Sequence, residues 1–166
     1  MTNKRKEKKC SESIVQMTEV VLPQHTNSLG TVFGGVVLSW VDIAAAICAQ
    51  KHCNKVVVTA SIDAMNFLAP IHLGWIVNIR ATLNYAFKTS CEVGVRIEAE
   101  NALQQEHHHT ASAYVTMVAI DSNGKPALIP TLTPQSEEEK RRALQAQRRR
   151  KMRLLLKDKQ NSDIDD

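Results

Sequence analysis

Residues 34–52 read Gly-Gly-Val-Val-Leu-Ser-Trp-Val-Asp-Ile-Ala-Ala-Ala-Ile-Cys-Ala-Gln-Lys-His, and this stretch decides the fold. It predicts a single long helix from about Gly34 to Lys51. Lys51 and His52 stand where the helix dipole favours cations, and Asn54 closes the element. The helix is apolar nearly all round, which marks it as wrapped by protein rather than laid on a surface. Its apolar run from Val36 to Ala49 is broken by Ser39 and Asp42 and falls short of the roughly 20 residues that a membrane span needs. No span is expected.

Outward from the helix, the pattern changes to strands. Ser13–Leu22 is rich in β-branched residues and ends at Pro23, which predicts a strand, and Gln24–Thr31 is a polar, turn-forming loop. Four more strand-like segments follow, Val56–Asn66, Trp75–Phe87, Cys91–Glu100 and Thr110–Ile120. From Ser136, an N-cap followed by Glu137–Glu139, the pattern is helical again. One helix among consecutive strands is an α+β plan in which an antiparallel sheet curls around the helix. A single small sheet cannot hide both sides of such a helix, so a dimer or larger homo-oligomer is expected.

The composition bounds the class. The chain has 166 residues, 43% hydrophobic and 23% charged, which suits one folded domain and excludes wholesale disorder. No apolar signal segment follows the N-terminal run of lysines and arginine, so a cytoplasmic location is expected. The four cysteines, Cys10, Cys48, Cys53 and Cys91, have neither paired nor zinc-type spacing, so free thiols are expected. The net charge of +4 is carried by the ends. Residues 1–12 are expected to be a flexible basic leader, 13–135 the folded domain, 136–158 a basic helix and 159–166 an acidic tail. The basic ends come with no recognised nucleic-acid motif. His107-His108-His109 has no acidic or cysteine partner at ligand spacing, so no metal site is expected.

Asp42 is the most informative single residue. A carboxylate amid Val41, Ile43 and three alanines is costly to bury without a partner, and in a cleft it can activate water. At the helix start, Gly34 and Gly35 leave backbone amides free to polarise a carbonyl oxygen, and Asn27 in the preceding loop adds a side-chain amide. There is no serine elbow of the Gly-x-Ser-x-Gly type, which argues against a serine acyl-enzyme.

The run His25-Thr26-Asn27-Ser28-Leu29-Gly30-Thr31-Val32-Phe33-Gly34-Gly35, then Leu38-Ser39-Trp40-Val41-Asp42, resembles the hotdog-fold acyl-CoA thioesterases. So do Val58-Thr59-Ala60-Ser61-Ile62-Asp63, Met65–Ile71, Lys88–Val93 and the basic tail Glu137–Arg153. The likeness spans about residues 14–155. It implies a sheet wrapped around the long helix, with active sites at a dimer interface where Asn27 faces the partner's Asp42. Asp42, Asn27 and Gly35 are then the catalytic candidates, with Asp42 acting as base or as nucleophile through an anhydride, the base being favoured. Coenzyme A, part of the substrate rather than a cofactor, would contact Ala60, Ser61, Ile62, Thr89, Ser90, Cys91 and a basic residue of the tail, Arg149 or Arg150. Cys91 departs from the family's more common Met. The implied activity is hydrolysis of acyl-CoA to a carboxylic acid and coenzyme A by a homo-oligomer, a dimer or trimer of dimers. The alternative is a non-catalytic acyl-CoA-binding module on the same fold.

Overall fold

A computed structural model describes residues 5–162. The long helix α1 spans Gly34–Cys53, close to the expected bounds. It stops at Asn54, which adopts the left-handed conformation (φ 51°) that asparagine tolerates and donates its backbone N–H to the Gln50 carbonyl at 2.8 Å. Val37, Val41, Ala44, Ala45, Cys48 and Ala49 form a buried stripe at helical spacing. Most of these side chains are small, so the sheet backbone approaches closely. The other side of α1 is left open, with Leu38, Ile43 and Ile47 exposed. By length and composition α1 could cross a membrane, yet half of its apolar window is buried against its own sheet. It is the core helix of this fold.

The strands are β1 (Glu7–Lys9), β2 (Val15–Val20), β3 (Val56–Ile62), β4 (Ile76–Ala86), β5 (Ser90–Asn101), β6 (Glu106–Ile120) and β7 (Thr131–Thr133). Five of them form one antiparallel sheet in the order β2-β4-β5-β6-β3. The register places Ile79 opposite Ile97 and Val95 opposite Ala113, so one face is continuously apolar and lies on α1. The other face alternates to polar residues such as Arg80, Thr82, Arg96 and Ser112. Bulges after Leu83, Ile97 and Thr59 add local twist, which lets the sheet curl around the helix. Among the described residues the edge strand β3 has no partner on its outer side, and Val56 and Val58 on it are exposed.

The second helix, α2, spans Glu137–Ser162, and the Ser136 hydroxyl accepts the Glu139 N–H at 3.1 Å, as its N-cap signal predicts. The leader departs from expectation. Far from being a flexible segment, residues 5–12 are built into the fold. β1 pairs in parallel with β7, Arg5 donates to the carbonyls of Ile129 and Phe87, and Cys10 is buried. Lys8 is also buried, because its ammonium caps the end of α1 by donating to the Lys51 carbonyl at 2.7 Å. These cations are ordered by unpaired carbonyls, which charge counting along the chain does not reveal. Residues 1–4 of the leader and 163–166 of the acidic tail lie outside the described residues.

If the small stripe on α1 sets the helix-to-sheet distance, Ala45→Leu overpacks it. Urea denaturation should show a loss of about 1–3 kcal/mol; an unchanged midpoint would mean that the contact is loose.

Candidate active site

Asp42 lies half-buried where α1 crosses β3. The Thr59 hydroxyl donates to its Oδ1 at 2.6 Å and lies 3.5 Å from the Met117 sulfur. Thr59 immediately precedes the β3 bulge, where the register with β6 shifts. No donor meets Oδ2 among the described residues, so one carboxylate oxygen stays open to a water or substrate. Thr59 is the functional candidate that reading along the chain missed. Only its place in the Val58–Asp63 motif marked it, because the pairing depends on how β3 crosses the helix.

Asn27 is engaged by its own loop. Its Oδ1 accepts the N–H groups of Leu29 and Thr31 at 2.9 and 3.2 Å, and its Nδ2 donates to the Thr31 hydroxyl at 3.0 Å. Gly30 turns this loop with a φ of 72°, a conformation that side chains disfavour. Within one chain no hydrogen bond joins Asn27 to Asp42. The loop delivers the chain to the start of α1, where the N–H groups of Gly34 and Gly35 have no acceptor among the described residues. Nothing lies within 4 Å of where a Cβ on Gly35 would sit. Beside these amides is a cleft of about 310 Å³ with apolar walls that include Val32, Val37, Phe67 and Ile71. Free amides next to an apolar cleft suit a carbonyl attached to a hydrocarbon chain.

The remaining candidates separate by environment. Ala60, Ser61 and Ile62 lie along the open edge of the sheet. Thr89 is half-buried, and Ser90 accepts a hydrogen bond from Arg150 Nη1 at 3.0 Å. The Arg150 guanidinium also covers the Phe87 ring at 4.1 Å. The Cys91 thiol is fully buried in the core, so only its backbone is available to a ligand. Arg149 is held by another charge. Its Nη2 and Nε donate to the fully buried Glu92 carboxylate at 2.7 and 3.2 Å, and its guanidinium lies 3.6 Å over the Tyr114 ring. Arg153 bridges Glu92 at 3.0 Å and Asp63 at 2.6 Å, and Asn84 is the third side chain that donates to Glu92, at 3.1 Å. Gly94 makes room for that amide, since a Cβ there would come within 2.8 Å of Asn84. Of the two tail arginines singled out by resemblance, Arg149 ties α2 to the sheet, and Arg150 stands at the Ser90 segment. Of the three histidines, His108 stacks on Trp75 and His109 bonds Ser112 at 2.9 Å.

The thioesterase superfamily model matches residues 29–104 of this sequence. An uncharacterized acyl-CoA thioester hydrolase of Bacillus subtilis is 39% identical over 130 residues, covering 78% of this chain and 76% of that protein. The chain belongs to the hotdog-fold acyl-CoA thioesterases. This thioesterase is also similar to the solved acyl-CoA hydrolase of Staphylococcus aureus in complex with butyryl coenzyme A and coenzyme A. The TM-score is 0.86 at 36% identity, over 96% of this chain and 99% of that one. That enzyme has been solved with one asparagine, one aspartate or one threonine replaced by alanine, and the intervals between those positions equal those between Asn27, Asp42 and Thr59. A hexameric acyl-CoA thioesterase matches at 40% identity and a TM-score of 0.86, over 89% of this chain and 95% of that one.

Burial works to raise the Glu92 carboxyl, but Arg149 and Asn84 hydrogen bonds, the Arg149 charge and Arg153 outweigh it and hold it below its ordinary 4.5. A depressed carboxyl stabilises the fold above its unfolded value and loses that contribution as pH falls through the folded one. Arg149→Ala should therefore cost about 3–5 kcal/mol at pH 7, by stripping partners from a buried charge. The wild-type advantage over Glu92→Gln should shrink as denaturation is repeated below pH 4.5. An advantage that stays constant across that range would mean that Glu92 is not ionised in the folded protein.

Proposed function

We propose that this thioesterase hydrolyses acyl-CoA to a free carboxylic acid and coenzyme A, with Asp42 as general base at a site shared between two protomers. The observation that carries the reading is the Thr59–Asp42 pair at 2.6 Å, which orients the carboxylate and leaves its second oxygen open. In this scheme Asp42 takes a proton from a water, and the water oxygen bonds to the thioester carbon. The carbonyl oxygen becomes an oxyanion that the Gly34 and Gly35 amides can receive. Collapse of the tetrahedral adduct breaks the C–S bond, and the thiolate leaves with the proton that Asp42 holds. The cleft beside Gly34 suits the acyl chain. The Ala60–Ile62 and Thr89–Cys91 segments and Arg150 are the proposed contacts for coenzyme A. The scheme calls for no metal or further cofactor.

What one chain leaves uncovered supports the shared site. Leu38, Ile43 and Ile47 on α1 are exposed, and so are Val56 and Val58 on the unpaired edge of β3. A second copy paired along that edge would cover both and let the Asn27 loop of one protomer approach the Asp42 of the other. The assembly is proposed as a dimer or a trimer of such dimers. The location is proposed to be the cytoplasm, where four free, buried cysteines stay reduced.

Asp42→Asn should lower kcat by roughly 10²–10⁴ in a folded oligomer, the usual range for losing a general base. Thiol release from acyl-CoA esters of several chain lengths measures this, and near-normal turnover removes Asp42 from the mechanism. Ester binding by wild type without turnover would favour the binding module instead. Ile47→Glu, which puts a charge on the open face of α1, should shift light scattering towards monomer and abolish turnover. A folded monomer that remains active would refute the shared site.

A further inference from the structure

Four free thiols lie inside this fold, and the hydrolysis scheme uses none of their sulfurs. All four are buried, yet their surroundings differ. The Cys10 thiol donates to the Leu83 carbonyl at 3.3 Å, and burial raises it above its ordinary 9.0. Burial pushes Cys48 up to about 12. Both therefore stay protonated and inert at neutral pH.

Cys53 and Cys91 form a pair. Cys53 is the last residue of α1 and Cys91 the second of β5, and both belong to the one apolar cluster where helix packs on sheet. There the Cys91 thiol hydrogen-bonds to the Cys53 sulfur. Accepting that bond holds Cys53 below its ordinary 9.0. Burial opposes the shift, and the Lys8 and Lys55 charges reinforce it. The donor behaves oppositely, since the same bond and complete burial push Cys91 well up. One sulfur is prepared as a nucleophile, and its neighbour waits as a thiol. Access is to one member only. Cys53 keeps 3% of its surface exposed and Cys91 none. Cys53 lines a cleft of about 410 Å³ with Arg5, Lys6, Lys55 and the segment 128–130. So small an opening admits a small oxidant and excludes a bulky disulfide. The cations beside it favour a thiolate and an anionic oxygen leaving group.

We propose that Cys53 and Cys91 are a peroxide-sensing pair that closes to an internal disulfide. The Cys53 thiolate attacks one oxygen of hydrogen peroxide and the O–O bond breaks. The departing hydroxide takes the proton that Cys53 gave up and becomes water, leaving Cys53 as a sulfenic acid. The Cys91 sulfur then attacks the Cys53 sulfur. The S–S bond forms, the S–O bond breaks, and hydroxide leaves with the Cys91 proton as a second water. The two thiols have lost two electrons to the peroxide, and thiol reductants reverse the change. The new bond ties the end of the helix that carries Asp42 to the start of β5. None of this depends on the part that Asp42 plays in hydrolysis.

The test treats the reduced full-length protein with hydrogen peroxide, removes the excess with catalase and counts thiols after unfolding. The expected count falls from four to two, and dithiothreitol restores all four. Peptide mapping without reductant should join Cys53 to Cys91 within one chain. In Cys91→Ala the reaction should stop at Cys53, where dimedone traps the sulfenic acid. In Cys53→Ala the remaining thiols should react about tenfold more slowly. The wild-type count and map need neither variant, so misfolding of one of them leaves the test intact. Retention of four thiols, a bond that involves Cys10 or Cys48, or a bond between chains overturns the proposal. Sulfinic acid at Cys53 with Cys91 still free overturns it too.

Discussion

The close packing of α1 on the curved sheet is the constraint on which everything else rests. Ala44, Ala45, Cys48 and Ala49 present little more than methyl groups and a thiol, so the sheet comes near the helix axis and bends around it. That proximity lets a short threonine hydroxyl on β3 reach a carboxylate on the helix. A larger residue in the stripe would move the two apart and disturb the hydrogen bond at Asp42. The fold and the site are therefore joined by the same few small side chains.

A second constraint acts from the outer face. Glu92 is a fully buried carboxylate surrounded by two arginines and an amide, and both arginines come from α2. Such a pair adds little net stability compared with apolar packing, but either half alone is strongly unfavourable. The consequence is directional. α2 has one seat, set by where Glu92 presents its oxygens, and Arg153 extends the same clamp to Asp63 just beyond β3. The two segments proposed to meet coenzyme A, at the end of β3 and the start of β5, are thus braced by one helix.

The monomer is also incomplete in a specific way. The face of α1 turned from its sheet and the free edge of β3 are both apolar and both open. Asn27 organises its own loop and does not touch Asp42, so the two residues that resemblance pairs are held apart within a chain. The proposed pairing of that edge with a second copy would resolve all three features at once.

What the sequence determined by itself was local. The apolar run with Lys51, His52 and Asn54 at its end bounded α1 almost to the residue, since periodicity, dipole and capping are readable within a few positions. The five strands of the main sheet, the Ser136 cap and the oddity of a carboxylate at Asp42 were legible for the same reason. The ordered motifs from His25 to Val93 carried the family. What only the tertiary structure decided depends on residues far apart in the chain. Thr59 meets Asp42 because of the β3 crossing and its bulge, Arg149 faces Glu92 rather than solvent, and Lys8 caps a helix that begins more than twenty residues later. A charge has no label for its partner, and the register of strands and the seating of helices choose among many candidates. That choice turned an apparently solvated leader into structure and paired Arg149 with a buried carboxylate.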